Sequence, residues 1–125
     1  VIVFDSSAIL ALLFEEPGGT VVAANLLGGV VSTVNHSEIV GRMIDRGQGF
    51  SDARKTVARL RLDTIPFDRE QADRAAELRA STRPFGLSLG DRACIALAER
   101  MGARVMTADR QWAKAPLPVE IELIR

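Results

Sequence analysis

Val1-Ile2-Val3-Phe4-Asp5-Ser6-Ser7 opens the chain, four apolar residues that stop at a carboxylate and two hydroxyls. A short unbroken apolar run rich in Val and Ile is the pattern of a strand covered on both faces in a parallel sheet; a half-exposed strand would alternate. The all-apolar Ala8 to Phe14 that follows reads as a packed helix. Asp5 is thus placed at the carboxyl end of a central strand, where open α/β sheets bind ligands at the crevice of reversed strand order. The competing reading is that Ser6 or Ser7 caps the next helix and Asp5 favours its positive N-terminus.

Outward from this stretch, strands and helices alternate. Glu15 to Gly19 is a stop and turn, after which Thr20 is expected to cap a short helix, Val21 to Leu27. Val30 to Thr33 reads as a second strand, and Asn35 to Arg46 as a helix with an apolar stripe of Ile39, Val40, Met43 and Ile44. Ser51 is the expected cap of a helix reaching Leu62. Thr64 to Phe67 is a brief strand, and Pro66 puts it at a sheet edge because proline donates no ladder hydrogen bond. A helix capped by Asp68 runs to about Ala80, Thr82 to Gly86 is loop, and Ser88 caps a helix through Met101. Ala103 to Thr107 and Val119 to Ile124 are the last strands, separated by a helical turn from Ala108 to Ala113. Strands separated by helices imply one α/β domain over residues 1–125, a parallel sheet of about five strands with helices on both faces.

Composition excludes several classes. With 125 residues, 47% of them hydrophobic, the chain suits a single core. The lone Cys94 cannot form an internal disulfide and no signal-peptide pattern is present, so the expected location is cytoplasmic. No apolar run approaches a membrane span, so no membrane partner is expected. Basic and acidic residues balance at 16 each, so no global positive field advertises a nucleic acid. The glycines form no phosphate-binding fingerprint.

The chemistry-bearing residues are acids. Asp109 repeats the logic of Asp5, since Thr107-Ala108-Asp109 sets a hydroxyl and a carboxylate at a strand end; capping the following turn is the equal alternative. Asp91 lies beside the row Cys94, Ile95, Ala98 and Met101, at the margin of the buried stripe, although Ser88-Leu89-Gly90-Asp91 also has capping-box spacing. Glu38 lies opposite the apolar stripe of its helix, where pairing with Arg42 is the simpler reading. His36 reads as a helix-start or core residue, Cys94 as packing, and Trp112 as an anchor for the last turn. Carboxylates without a histidine or thiolate cluster suit a hard cation such as Mg²⁺ or Mn²⁺, and such ions favour phosphodiester hydrolysis.

The segments VIVFDSSAILALL, NHSEIVGRM, LSLGDRACIALA and VMTADRQW, taken together and in this order, resemble the PIN-domain ribonucleases, most closely the VapC-type toxins of bacterial toxin–antitoxin pairs. The resemblance covers essentially the whole chain. It implies a sheet ordered 3-2-1-4-5 and an acidic site of Asp5, Glu38, Asp91 and Asp109 holding Mg²⁺ or Mn²⁺, with Ser7 and Thr107 as orienting hydroxyls. It further implies an RNA substrate, a homodimer and a VapB-like antitoxin. Exposed apolar character makes the groove between the third and fourth helices, near Met43 and Phe50, the expected antitoxin surface. Arg42, Arg46 and Arg92 are candidate RNA contacts. Two other readings stand beside the toxin: a PIN nuclease of RNA maturation, and a receiver-like signalling module with an acidic pocket.

Overall fold

A computed structural model describes residues Val1–Arg125 in full. Five parallel strands, β1 (Ile2–Phe4), β2 (Val30–Ser32), β3 (Asp63–Ile65), β4 (Arg104–Thr107) and β5 (Ile121–Leu123), form one sheet in the order β3-β2-β1-β4-β5. The strand order expected from the resemblance is the one observed. β1 is central and pairs with β4 through Ile2↔Arg104, Val3↔Val105 and Phe4↔Met106. The strand continues its ladder past its last residue, because the Asp5 backbone N–H donates to the Met106 carbonyl at 3.0 Å.

The opening run is covered on both faces, and its alternation assigns each residue to one of two cores. Phe4 and Met106 pack with Ile9, Val31, Ile39 and Met43 under α1 (Ser6–Leu13), α2 (Gly19–Ala24), α3 (Thr33–Asp45) and α4 (Phe50–Ala58). Val3, Val30 and Val105 pack with Leu78, Ile95, Leu97 and Trp112 on the opposite face. That face is covered by α5 (Arg69–Glu77), α6 (Arg79–Thr82) and α7 (Leu89–Met101), with the 3₁₀ segments Arg83–Phe85 and Arg110–Lys114. Cys94 and Trp112 are fully buried, which fits the packing roles read from the sequence.

Several boundaries differ from the sequence expectation. Gly18, not Thr20, precedes α2, with φ of +90° and so little room that a Cβ there would lie 2.6 Å from the Ile124 carbonyl oxygen. Only glycine accepts both the left-handed backbone and the contact. Gly49 replaces Ser51 as the cap of α4, since its carbonyl already accepts the Ala53 N–H at 2.9 Å. The fifth helix is split, and Thr82 to Phe85, expected as loop, is helical. The Thr82 hydroxyl is buried and returns a 2.6 Å hydrogen bond to the Leu78 carbonyl, a closure that composition alone does not signal. β3 lies at the sheet edge, ending just before Pro66 as the missing N–H requires.

Candidate acidic active site

Asp5 is fixed by two hydroxyls from different elements. Ser7 donates to Asp5 Oδ2 at 2.5 Å and Thr107, the last residue of β4, donates to the same oxygen at 2.8 Å. Each hydroxyl is oriented in turn by a backbone amide: the Ala108 N–H donates to Ser7 Oγ at 2.9 Å and the Asp109 N–H to Thr107 Oγ1 at 3.1 Å. Asp5 occupies the N-cap position of α1 but makes no capping bond, so its carboxylate is turned away from the plain capping role.

Asp91 and Asp109 each serve twice. The full capping box of α7 is present: the Ser88 N–H donates to Asp91 Oδ2 at 2.8 Å and the Asp91 N–H to Ser88 Oγ at 3.2 Å. Asp109 Oδ1 accepts the Gln111 N–H at 2.9 Å and so starts the last 3₁₀ segment. At both acids the capping role read from the sequence is present, and it occupies only one carboxylate oxygen.

Glu38 does not pair with Arg42. Its Oε1 accepts from Ser6 Oγ at 2.6 Å and from Asn35 Nδ2 at 2.9 Å. Asn35 is buried and its amide also reaches the Ser6 hydroxyl at 3.1 Å and the Gly90 carbonyl at 3.1 Å, joining α1, α3 and α7 behind the site. Asn35 carries no marked role in the sequence, and Ser6 reads there only as a possible helix cap. The available signal was the Asn35 to Glu38 spacing of three, which puts the two on one helical face. Gly90 makes room for this arrangement, because a Cβ there would lie 2.5 Å from Glu38 Oε1. Gly90→Ala should keep the fold, since alanine favours the helix by about 1 kcal/mol. It should displace Glu38 from Ser6 and Asn35, and a loss of divalent-cation affinity of about tenfold or more at a melting temperature no lower than that of wild type is the expected readout.

The four acids line one open cavity of about 670 Å³, together with Ser6, Ser7, Leu10, Phe14, Glu16 and Arg42. Asp5 is only 3% exposed, and its carboxyl is pushed up to about 6, first by burial and further by Asp91 and Glu38, against the pull of Ser7 and Thr107. Burial likewise raises Asp91 above the ordinary carboxylate range, with Asp109 and Glu38 adding repulsion against the hydrogen bonds from Ser88. The Cys94 thiol is raised by complete burial, which leaves it an inert part of the core.

These residues fit a hard divalent cation. Each carboxylate has one oxygen held by the chain, while Asp5 Oδ1, Glu38 Oε2, Asp91 Oδ1 and Asp109 Oδ2 accept no hydrogen bond from it. Asp5 Oδ1, Asp91 Oδ1 and Asp109 Oδ2 are not sealed, unpartnered atoms, and Glu38 is an exposed residue. No three His, Cys, Asp or Glu side chains are already drawn together as a ligand set.

The expected arginines distribute differently. Arg42 lines the acidic cavity. Arg46 is drawn aside, its guanidinium 4.1 Å from the centre of the Phe14 ring and 4.0 Å from Glu16. Arg92, expected as a surface contact beside Asp91, is buried at 6% exposure and donates from Nη1 to the Ala75 carbonyl at 2.9 Å. Its position one residue after Asp91 turns it toward α5, away from the acids. Arg125, which has no motif to mark it in the sequence, reaches the cavity while donating to the Pro17 carbonyl at 2.9 Å and lying 3.6 Å from Glu16. Met43 is 1% exposed and cannot contribute to the groove expected beside it, whereas Phe50 and Ile44 are exposed at 62% and 42%.

Solved structures share this architecture. A toxin–antitoxin complex from Klebsiella pneumoniae aligns with a TM-score of 0.77 at 16% identity, over 100% of this chain and 98% of that one. VapBC2 from Rickettsia felis, bound to a promoter DNA fragment, aligns at 0.75 and 14%, over 98% and 97%. DNA-bound VapBC from Salmonella typhimurium aligns at 0.74 and 17%, over 99% and 98%. At these identities the likeness is one of fold. No curated protein sequence matches the chain. The PIN domain family model, however, matches residues 2–117, nearly the whole chain including all four acids, and on that match the chain belongs to the PIN-domain family.

Proposed function

We propose that the chain is a Mg²⁺- or Mn²⁺-dependent endoribonuclease and the toxin of a type II toxin–antitoxin pair, neutralised by a VapB-like antitoxin. The observation that carries the reading is the convergence of four acids on one cavity, each with an oxygen left free by the chain. A divalent cation held there would supply Lewis acidity toward a phosphoryl oxygen and would lower the pKa of water. Asp5, Glu38, Asp91 and Asp109 would hold the ion. Ser7 and Thr107 keep Asp5 in place, Ser6 and Asn35 do the same for Glu38, and Ser88 for Asp91. Arg42, on the cavity wall, offers a positive charge to a substrate phosphate that the acids alone would repel.

Support for the toxin role comes from neighbours in fold that are toxin–antitoxin or VapBC complexes. The homodimer and antitoxin belong to the same reading. No helix is long and apolar enough to cross a membrane. Inducible expression with RNA end-mapping provides the test. Wild type is expected to arrest growth and produce discrete new RNA ends, and Asp5→Asn to do neither at equal protein level. Growth arrest by Asp5→Asn with the same RNA ends would remove the site assignment, and normal growth with intact RNA under wild-type expression would remove the toxin role.

A further inference from the structure

At the start of α7 lies a second cavity of about 390 Å³, lined by Ser88, Leu89, Arg79, Arg83 and Arg92, with no acidic residue on its walls. None of the three arginines forms a salt bridge within the chain. Arg92 is the unusual member. It is 6% exposed, and one neutral carbonyl, that of Ala75, is its only partner. Its Nε is buried without any acceptor, and its Nη2 makes no hydrogen bond within the chain. A buried guanidinium with no counter-charge is costly unless an anion offsets it, and a planar fork beside two more arginines suits the oxygens of a phosphate. Arg79 and Arg83 are exposed, so they are free to close over such a group from the solvent side.

We propose that this cavity is an anion site that receives a backbone phosphate of the RNA, next to the phosphate that is cleaved. The proposal rests on the nuclease reading. Continuity with the acidic cavity favours nucleic acid as the source of the anion: Ser88 lines the arginine cavity and its N–H holds Asp91, which lines the other. A strand entering the acids would therefore pass over the start of α7, with the arginines fixing its register and the acids acting on the next linkage. Phosphate contacts of this kind position a strand without reading its bases. This also gives a neutral protein a local positive surface where its net charge provides none.

The test measures binding of a short, labelled single-stranded RNA to the full chain carrying Asp5→Asn, which prevents cleavage, across a range of KCl concentrations. Adding Arg79→Gln and Arg83→Gln should weaken binding roughly tenfold and lower the slope of log affinity against log salt by about 0.7 for each phosphate no longer neutralised. Both side chains are exposed, so the melting temperature should not change. Arg79→Lys with Arg83→Lys should restore the salt slope while recovering only part of the affinity, because the charge returns without the fork. Unchanged affinity and slope in the Gln pair would overturn the proposal. So would a selective loss of binding to a synthetic Glu-rich peptide with RNA affinity intact, which would give the site to an acidic protein partner. Cleavage by the wild type in Mn²⁺ separates the two levels: if it cleaves while the Gln pair binds normally, only the arginine site fails. If the wild type neither cleaves nor binds RNA, both the site and the nuclease reading fail.

Discussion

Asp5→Asn should abolish RNA cleavage and at the same time make the cation-free chain more stable at pH 7, by about 3 kcal/mol, or on the order of 10 °C in melting temperature. The gain follows from where the carboxylate sits. Asp5 is 3% exposed and titrates near 6 in the folded chain, against 3.8 as the ordinary value. Below about pH 4 it is protonated whether folded or not and costs little. Between about 4 and 6 the unfolded chain releases its proton while the folded chain retains it, so the folded state binds more protons and stability falls as pH rises. Above 6 the full cost of an ionised, buried carboxylate is present. Asparagine retains an oxygen that Ser7 and Thr107 can hydrogen-bond, so the variant removes the charge and keeps the geometry. Thermal melts in EDTA at pH 4 and pH 7 check this: wild type should lose stability over the interval by more than Asp5→Asn does. An equal pH dependence in both proteins, or a variant less stable at pH 7, would mean that the charge of Asp5 is not the source of the cost.

The second large effect is its complement. If the same burial and repulsion are offset by a divalent ion, Mn²⁺ added to wild type at about 100 times its dissociation constant should raise stability by about 2.7 kcal/mol. The rise should be nearly absent in Asp5→Asn and strongly reduced in Asp91→Asn, because each removes a ligand and part of the repulsion that the ion relieves. A matching rise in all three proteins would place the ion elsewhere on the surface. Loss of a ligand is expected to cost more than about 100-fold in cleavage, more than the roughly 10- to 100-fold typical of the groups that support ligands.

Much of this site is legible in the sequence because its acids stand at element boundaries. Asp5 and Asp109 end apolar runs and Asp91 starts a helix, so the pattern that defines the fold also exposes the residues that do not belong to the core. The strand order required more, since β1 meets β4 only through a connection of about a hundred residues, and here the family resemblance supplied what local pattern does not. What stayed hidden depends on tertiary contact. Local pattern alone does not separate Glu38 from an ordinary surface acid; only the family resemblance marks it, and the contacts from Asn35, Ser6 and Gly90 that hold it come from three helices. Arg92 follows a candidate ligand and carries a charge, two reasons to expect it on the surface, yet helix geometry turns it into the α5–α7 interface. Met43 belongs to an apolar stripe that proved wider than the buried face of α3, so Met43 is enclosed and Ile44 is left in solvent. The caps at Gly18 and Gly49 have a related cause: a good capping side chain nearby is a weaker constraint than the backbone closure that packing imposes.

The most direct measurement is cleavage of single-stranded RNA by the purified chain in Mn²⁺, with and without EDTA, for wild type beside Asp91→Asn. The proposed cation site predicts cleavage by wild type with the ion present, none in EDTA, and at least about a 100-fold loss in the variant at unchanged fold. Undiminished cleavage in EDTA, or by Asp91→Asn, would contradict a hydrolytic cation held by these four acids.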